Sequence, residues 1–414
     1  MKDALTEARA EKQAKKQTSW MRPRHRLVRH LAYAVLYPFS RLLYRIKIDK
    51  CADKRQFLIL YNHQTPFDQF FVGMALPHTV VYYMASEDIF SNGLVSSLIR
   101  YLVAPIPIKK QSTDVRAILN CMRVAKEGGT IAIAPEGNRT YSGRTETMNE
   151  AILPLVRKLG LPLMLYRLEG GYGTHPRWSD CVRRGGVHGY AARIIEPEEA
   201  KEMSDEALLG AIRDTLYVNE ANSEGHYPSK RSAEYLERLV YVCPACGLST
   251  FESRGQEVRC LGCGLRARYT AKKEFAPVDG PFPYRYVAEW YDAQEAFINN
   301  FDGREHTEAP LYTERADLFS VVPYEKKKRL CRGAALSLYG DRICFDFGSE
   351  GLDLSFDEIR AVAVCGKNKL NVYHADKLYQ VKGDKRFNAV KYAHLYYRYR
   401  HLAKGEGHEQ FLGF

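Results

Sequence analysis

Phe57-Leu58-Ile59-Leu60-Tyr61-Asn62-His63-Gln64-Thr65-Pro66-Phe67-Asp68 is the stretch on which the fold turns. Five apolar residues in a row read as a buried strand, and the polar turn that follows opens a helix over Phe67–Ala75. Thr65 suits the N-cap, Pro66 the first helical position, and Asp68 the third. A histidine thus stands just off a strand end with a carboxylate in the first turn of the next helix. One imidazole nitrogen can be held by Asp68 while the other stays available, the arrangement of an oriented general base. Asp68 taken alone is equally explained as a capping-box acid.

Working outward, the same alternation recurs. Val80–Met84, Ile106–Ile108, Thr130–Ala134 and Pro162–Tyr166 read as strands, and Val95–Leu102, Val115–Ala125 and Glu150–Leu159 as helices between them. Ser204 is expected to cap a further helix through Leu216. Alternation of this kind predicts a layered α/β domain with a mostly parallel sheet. A second polar group follows the strand Thr130–Ala134, namely Pro135-Glu136-Gly137-Asn138-Arg139. Open α/β sheets place ligands beyond such strand ends. Gly137 admits close backbone approach, and Arg139 offers a planar fork for phosphate. A turn with a surface ion pair is the plainer alternative.

Together the two segments resemble the glycerolipid acyltransferases typified by 1-acylglycerol-3-phosphate acyltransferase. That family carries H-x4-D, here His63 and Asp68, and E-G-T-R, here Glu136-Gly137-Asn138-Arg139. Between them Ile106-Pro107-Ile108-Lys109-Lys110 stands where the family ends a strand on a basic residue. Leu161-Pro162-Leu163-Met164-Leu165 stands at its fourth block. The order holds over residues 50–217, about 40% of the chain. Asn138 replaces the usual Thr, Lys110 the usual Arg, and Leu165 the usual proline. The resemblance implies that His63 takes a proton from an acceptor hydroxyl, with Asp68 supporting it, and that the oxygen attacks an acyl thioester. The donor would be acyl-coenzyme A or acyl carrier protein. Arg139 and Lys110 would hold the phosphate of lysophosphatidic acid or a similar lysolipid, with Glu136, Gly137 and Asn138 shaping that site. Arg167 and Glu169-Gly170-Gly171-Tyr172-Gly173 are possible additions to the pocket. The alternatives are the same chemistry on another lysolipid or a glycolipid, or a non-catalytic lipid- or nucleic-acid-binding protein on this scaffold. Nucleic acid is the less favoured partner.

The chain has 414 residues and a net charge of +12. Residues 1–50 hold 13 Lys or Arg against 4 Asp or Glu, so 13 − 4 = +9 of the excess sits there. A basic block of this kind points to an anionic surface. Residues 1–20 are expected to be loose. From Arg22 to Ile46 apolar residues recur at helical spacing, with Pro38 expected to kink or split the helix. No apolar run reaches the ~18–20 residues that cross a bilayer. A helix lying in a membrane interface is one reading and a helix packed on its own domain the other. Attachment to the cytoplasmic face of a membrane, through its phospholipid surface, is therefore expected.

Four of the ten cysteines form Cys243-Pro-Ala-Cys246 and Cys260-Leu-Gly-Cys263. Paired C-x-x-C knuckles with no secretory signal read as a structural Zn²⁺ site, resembling zinc ribbons. Domain boundaries are expected as 1–48 (basic helix), 49–240 (acyltransferase-like), 241–272 (ribbon), 273–316 (linker) and 317–414. In the last of these, short strands and a terminal helix over Phe387–Leu402 resemble, by element order, a pleckstrin-homology-type module. Lys326-Lys327-Lys328-Arg329 lies between two of its strands, as a phosphate site or as a solvated charge run.

Overall fold

The computed structural model describes residues 19–108, 114–322, 325–348 and 351–406. Its elements begin with helix α1 (Pro23–Tyr44), strands β1 (Ile46–Ile48) and β2 (Leu58–Tyr61), helix α2 (Asp68–Ala75), strand β3 (Val81–Ser86), helix α3 (Leu94–Val103) and strand β4 (Ile106–Ile108). Helix α4 (Val115–Lys126), strand β5 (Thr130–Ile133), helix α5 (Ile152–Leu159), strands β6 (Leu163–Glu169) and β7 (Val187–Ile195), and helix α6 (Asp205–Leu216) follow. The seven strands form one sheet in the order β1-β7-β6-β2-β5-β3-β4. Every pairing in it is parallel except β6 with β7. The fold is thus mixed α/β with a mostly parallel sheet, followed by a β-rich half that ends in a helix.

Period-two burial assigns the sheet's two faces. Leu58 and Leu60 of β2 face Cys121 and Val124 of α4, Leu153 and Val156 of α5, and Leu208 and Ile212 of α6. Ile59 and Tyr61 face Phe71 and Val72 of α2 and Tyr44 of α1. Two caps are visible. The Asp114 carboxylate accepts from the N–H groups of Arg116 and Ala117 (3.0 and 3.2 Å), and Ser204 Oγ accepts from Ala207 N–H (3.1 Å).

Helix α1 runs unbroken through Pro38, so of the kink or split expected there the split does not occur. Proline removes one internal hydrogen bond, and packing of Ser40 and Tyr44, both buried, holds the last turns in place. The helix docks through its start: Trp20 Nε1–H donates to Ala104 O (3.0 Å), and Arg24 Nε–H donates to Tyr101 O (2.8 Å). An apolar face of it stays bare, with Leu31 60% and Leu42 85% exposed, and Leu94 of α3 is 90% exposed. Among the described residues no helix is long and apolar enough to cross a membrane. The loose stretch expected over residues 1–20 lies, up to residue 18, outside the described residues.

Beyond α6, the strands Phe251–Arg254, Glu257–Cys260, Arg266–Tyr269 and Phe275–Pro277 form a four-stranded antiparallel sheet around the cysteine knuckles. The stretch expected as a linker, 273–316, contains helix α7 (Val287–Asn299) instead. Its Trp290 is buried and its Nε1–H donates to Val242 O (2.8 Å). The flanking Pro and acidic residues hide this helix in the sequence. The Glu289 carboxylate sits in its first turn and accepts from the N–H groups of Arg285 and Tyr286 (2.6 and 3.1 Å).

The last sheet comprises β8 (Tyr312–Val321), β9 (Lys328–Leu338), β10 (Arg342–Asp346), β11 (Gly351–Ser355), β12 (Ile359–Cys365), β13 (Lys369–His374) and β14 (Lys377–Gly383), closed by helix α8 (Val390–Ala403). Its order is β11-β10-β9-β8-β14-β13-β12, antiparallel throughout. One apolar core joins this sheet to the cysteine unit and α7: Val258, Tyr269, Trp290, Leu336 and Tyr392 belong to it, as does Trp178 from the first half of the chain.

Candidate active site

Strands β2 and β5 are parallel neighbours, with Leu58 paired to Ile131. The loops that follow them therefore leave the same edge of the sheet, which brings His63 to Glu136 and Arg139 across more than seventy residues of chain. Two hydrogen bonds from backbone N–H groups join the two loops: Thr140 N–H donates to His63 O (3.0 Å), and His63 N–H donates to Glu136 Oε1 of the side chain (2.7 Å).

Asp68 is fully buried and accepts four hydrogen bonds. Oδ2 takes His63 Nδ1–H (2.8 Å), Gln64 N–H (2.6 Å) and Thr65 N–H (2.8 Å), and Oδ1 takes the Thr65 hydroxyl (2.6 Å). The carboxylate thus closes the turn and orients the imidazole together, so the capping and base-orienting readings describe one geometry. The expected N-cap moves: α2 starts at Asp68, with Thr65–Phe67 forming a turn, because the carboxylate is drawn back onto the N–H groups before it. His63 Nε2 has no hydrogen bond to the described residues, and His63 lines a cavity of about 1300 Å³. Burial lowers the imidazole pKa, opposed by Asp68 and reinforced by the Arg139 and Arg177 guanidinium groups. A neutral ring with one free nitrogen can accept a proton at neutral pH.

Glu136 is buried and spends both oxygens on backbone, His63 N–H at Oε1 and Glu146 N–H at Oε2 (2.8 Å). Its carboxylate is a strut between loops. Burial raises its pKa well above the ordinary carboxylate range. Gly137 sits at φ +67°, a left-handed turn that favours glycine. Asn138 and Arg139 line the cavity. Arg139 keeps a buried Nη1 without a hydrogen-bond partner among the described residues, and its pKa is lowered to about 10 by burial and by the neighbouring Arg177. A buried guanidinium N–H left unpaired is a ready seat for an anion. Lys110 lies outside the described residues.

Arg167 and the Glu169–Gly173 run do not line this cavity. Arg167 pairs with Glu169 (2.8 Å), and Gly170 and Gly171 stand behind the His63 loop, where Gly171 N–H donates to Gln64 Oε1 (2.8 Å). A Cβ at Gly171 would lie 2.4 Å from that oxygen, which explains the glycine as a close approach rather than a ligand site. Sequence reasoning missed Gln64 and Arg177. Arg177 follows Pro176 in an aperiodic turn, and no spacing ties it to Arg139.

The Cys243, Cys246, Cys260 and Cys263 thiols converge, all four sulfurs within 4.8 Å of one another, with Cys243–Cys263 and Cys246–Cys260 each at 3.6 Å. A tetrahedron with Zn–S bonds of ~2.3 Å has sulfur–sulfur edges of about 3.8 Å, so the donor set suits Zn²⁺ in number, type and size.

Residues 44–164 match the family model described as Acyltransferase. Among solved structures, the chain is similar to the 1-acyl-sn-glycerophosphate (LPA) acyltransferase PlsC of Thermotoga maritima, at 19% identity and a TM-score of 0.36, covering 46% of this chain and 91% of that one. Among curated proteins it is similar to 3-methyl-2-oxobutanoate hydroxymethyltransferase of Thermus thermophilus, 25% identical over 122 residues, 27% of this chain and 47% of that protein. The enzyme of the same description from Desulfotalea psychrophila is 26% identical over 130 residues, 29% of this chain and 47% of that protein. The chain spans about half the length of the curated relatives it matches.

Proposed function

We propose that this protein is a membrane-surface O-acyltransferase that moves a fatty acyl group from a thioester, acyl-coenzyme A or acyl carrier protein, to the free hydroxyl of lysophosphatidic acid, giving phosphatidic acid. The observation that carries the reading is the His63–Asp68 pair, 2.8 Å apart, opening into a large cavity that also holds Arg139. In the proposed reaction His63 Nε2 takes the hydroxyl proton as the oxygen attacks the thioester carbonyl. The C–S bond breaks, and the imidazolium returns the proton to the departing thiolate. Asp68 fixes the tautomer and supports the transient cation. Arg139 Nη1 takes the acceptor phosphate.

Apolar residues of the same cavity suit an acyl chain. Val28 and Leu36 of α1 and Leu98 and Leu102 of α3 line it. These two helices also carry the bare apolar face, so a lipid chain would pass between them from the bilayer. In this reading α1 lies in the interface and its basic residues meet anionic headgroups. The four thiolates hold a structural Zn²⁺ that supports the core shared with the last sheet.

The test is purified protein with liposomes, oleoyl-coenzyme A and a panel of lysolipids, read by mass spectrometry. Phosphatidic acid as the dominant product supports the reading. Preference for another lysolipid or a glycolipid changes the acceptor, and no transfer to any of them overturns the reading.

A further inference from the structure

The cavity of His63 and Arg139 is not built from the first half of the chain alone. Cys365 and Gly366, at the end of β12 and in the turn that leads to β13, line it beside Arg177. Arg177 is 3% exposed and spends each of its three nitrogens on a different carbonyl. Nη1–H donates to Arg139 O (2.8 Å), Nη2–H to Val364 O (3.2 Å) and Nε–H to Gly366 O (3.3 Å). The same guanidinium lies 3.9 Å from the centre of the Tyr141 ring, two residues past Arg139. One planar group therefore spans the loop after β5 and the last sheet.

The bond to Arg139 O completes a clamp on a single peptide group. The N–H of the Arg139–Thr140 peptide donates to His63 O (3.0 Å), and its carbonyl accepts from Arg177. Arg139 Nη1 is buried and has no hydrogen-bond partner among the described residues. The aim of that guanidinium thus depends on where its backbone is held.

The β12–β13 turn has a separate anchor. Lys367 Nζ donates to Ser179 O (2.7 Å) and pairs with Asp180 (2.9 Å), which Arg238 also holds (2.9 Å). The turn is therefore seated without Arg177, and what Arg177 alone adds is the link from the turn to Arg139.

We propose that Arg177 is a positioning residue of the acceptor site: it fixes the Arg139–Thr140 peptide against the β12–β13 turn, which makes the last sheet a working part of phosphate binding. This rests on the acyltransferase reading and deepens it. Lysine at this position would keep the charge, but its one nitrogen cannot serve three carbonyls that a rigid fork reaches together.

The test is donor-free binding of lysophosphatidate to the wild type, Arg177→Lys, Arg139→Ala and the double variant. Arg177→Lys should weaken binding about tenfold, the scale of one charge-assisted hydrogen bond lost through a misplaced Arg139. If Arg177 acts through Arg139, the double variant should bind within about twofold of Arg139→Ala alone. A merely structural role would weaken the Arg139→Ala protein by the full factor again. Wild-type affinity in Arg177→Lys, or losses that multiply in the double variant, overturn the proposal. Hydrogen exchange on the wild type keeps the test open should Arg177→Lys fail to fold. Lysophosphatidate should slow exchange in the β12–β13 turn together with residues 136–140, and slowing in the loop alone overturns the proposal. Neither measurement needs turnover. A wild type that binds lysophosphatidate with this coupling yet acylates no acceptor leaves the site standing and sinks the acyltransferase reading alone. A wild type that does not bind it overturns both.

Discussion

The Glu136 carboxylate accepts the backbone N–H of His63 at 2.7 Å, so the residue expected to shape the acceptor site also braces the residue proposed to react. Its second oxygen takes Glu146 N–H, and the two bonds join the loops after β2 and β5 at the sheet's edge. Replacing Glu136 by Ala leaves two N–H groups without their acceptor, at a cost of about 1–3 kcal/mol each if they stay dry. Glu136→Ala is expected to lower the thermal midpoint and to reduce kcat more than it raises acceptor KM. A rise in acceptor KM with kcat unchanged would assign Glu136 to substrate binding.

In the proposed reaction His63 sets the pH dependence. Burial chiefly, with help from Arg139 and Arg177, holds its pKa below the usual imidazole value of 6.5, against the pull of Asp68. The neutral, base-competent form persists as pH falls to that lowered value and is lost below it. The acid limb of kcat/KM is therefore expected below pH ~6.5. Arg139→Ala removes a nearby positive charge and should move the limb upward, whereas Asp68→Asn removes the opposing carboxylate and should move it further down while slowing the reaction. A wild-type limb above 6.5 contradicts this electrostatic account.

The four-cysteine unit shares its core with the last sheet through Val258, Tyr269 and Trp290. Structural zinc contributes on the order of 10 kcal/mol to small zinc peptides, comparable with the whole stability of a domain. One zinc per chain is expected by elemental analysis. A strong chelator, or Cys260→Ser, should lower the thermal midpoint markedly. A chain containing no zinc and indifferent to chelators would refute the metal assignment.

Leu42 and Leu94 are 85% and 90% exposed on neighbouring helices and line no part of the cavity. Each contributes roughly 1.5–3 kcal/mol if buried in lipid. The double replacement Leu42→Asp, Leu94→Asp should reduce sedimentation with anionic vesicles by more than about tenfold, leave the thermal midpoint near that of the wild type, and remove the binding that survives high salt. Unaltered sedimentation would place the membrane contact elsewhere.

Much of the first sheet was legible in the sequence because its strands β2, β5 and β6 are buried on both faces, and so appear as continuous apolar runs bounded by turns. The His63–Asp68 contact was legible for a different reason, being local: five residues across one turn. Strands β1 and β7 escaped notice. Ile46–Ile48 is only three residues long, and Val187–Ile195 carries a glycine, two alanines and an arginine, with exposed positions that blur its period. Helix α7 was obscured by its proline-rich approach. Arg177 was beyond reach altogether, because its place at the cavity depends on how the last sheet docks, and docking leaves no periodicity to read.

The account stands or falls on His63. Phosphatidic acid formation from lysophosphatidate and oleoyl-coenzyme A, followed by mass spectrometry, should fall about 10²–10⁴-fold in His63→Ala with its thermal midpoint kept. Turnover by a folded His63→Ala protein at the wild-type rate would contradict it.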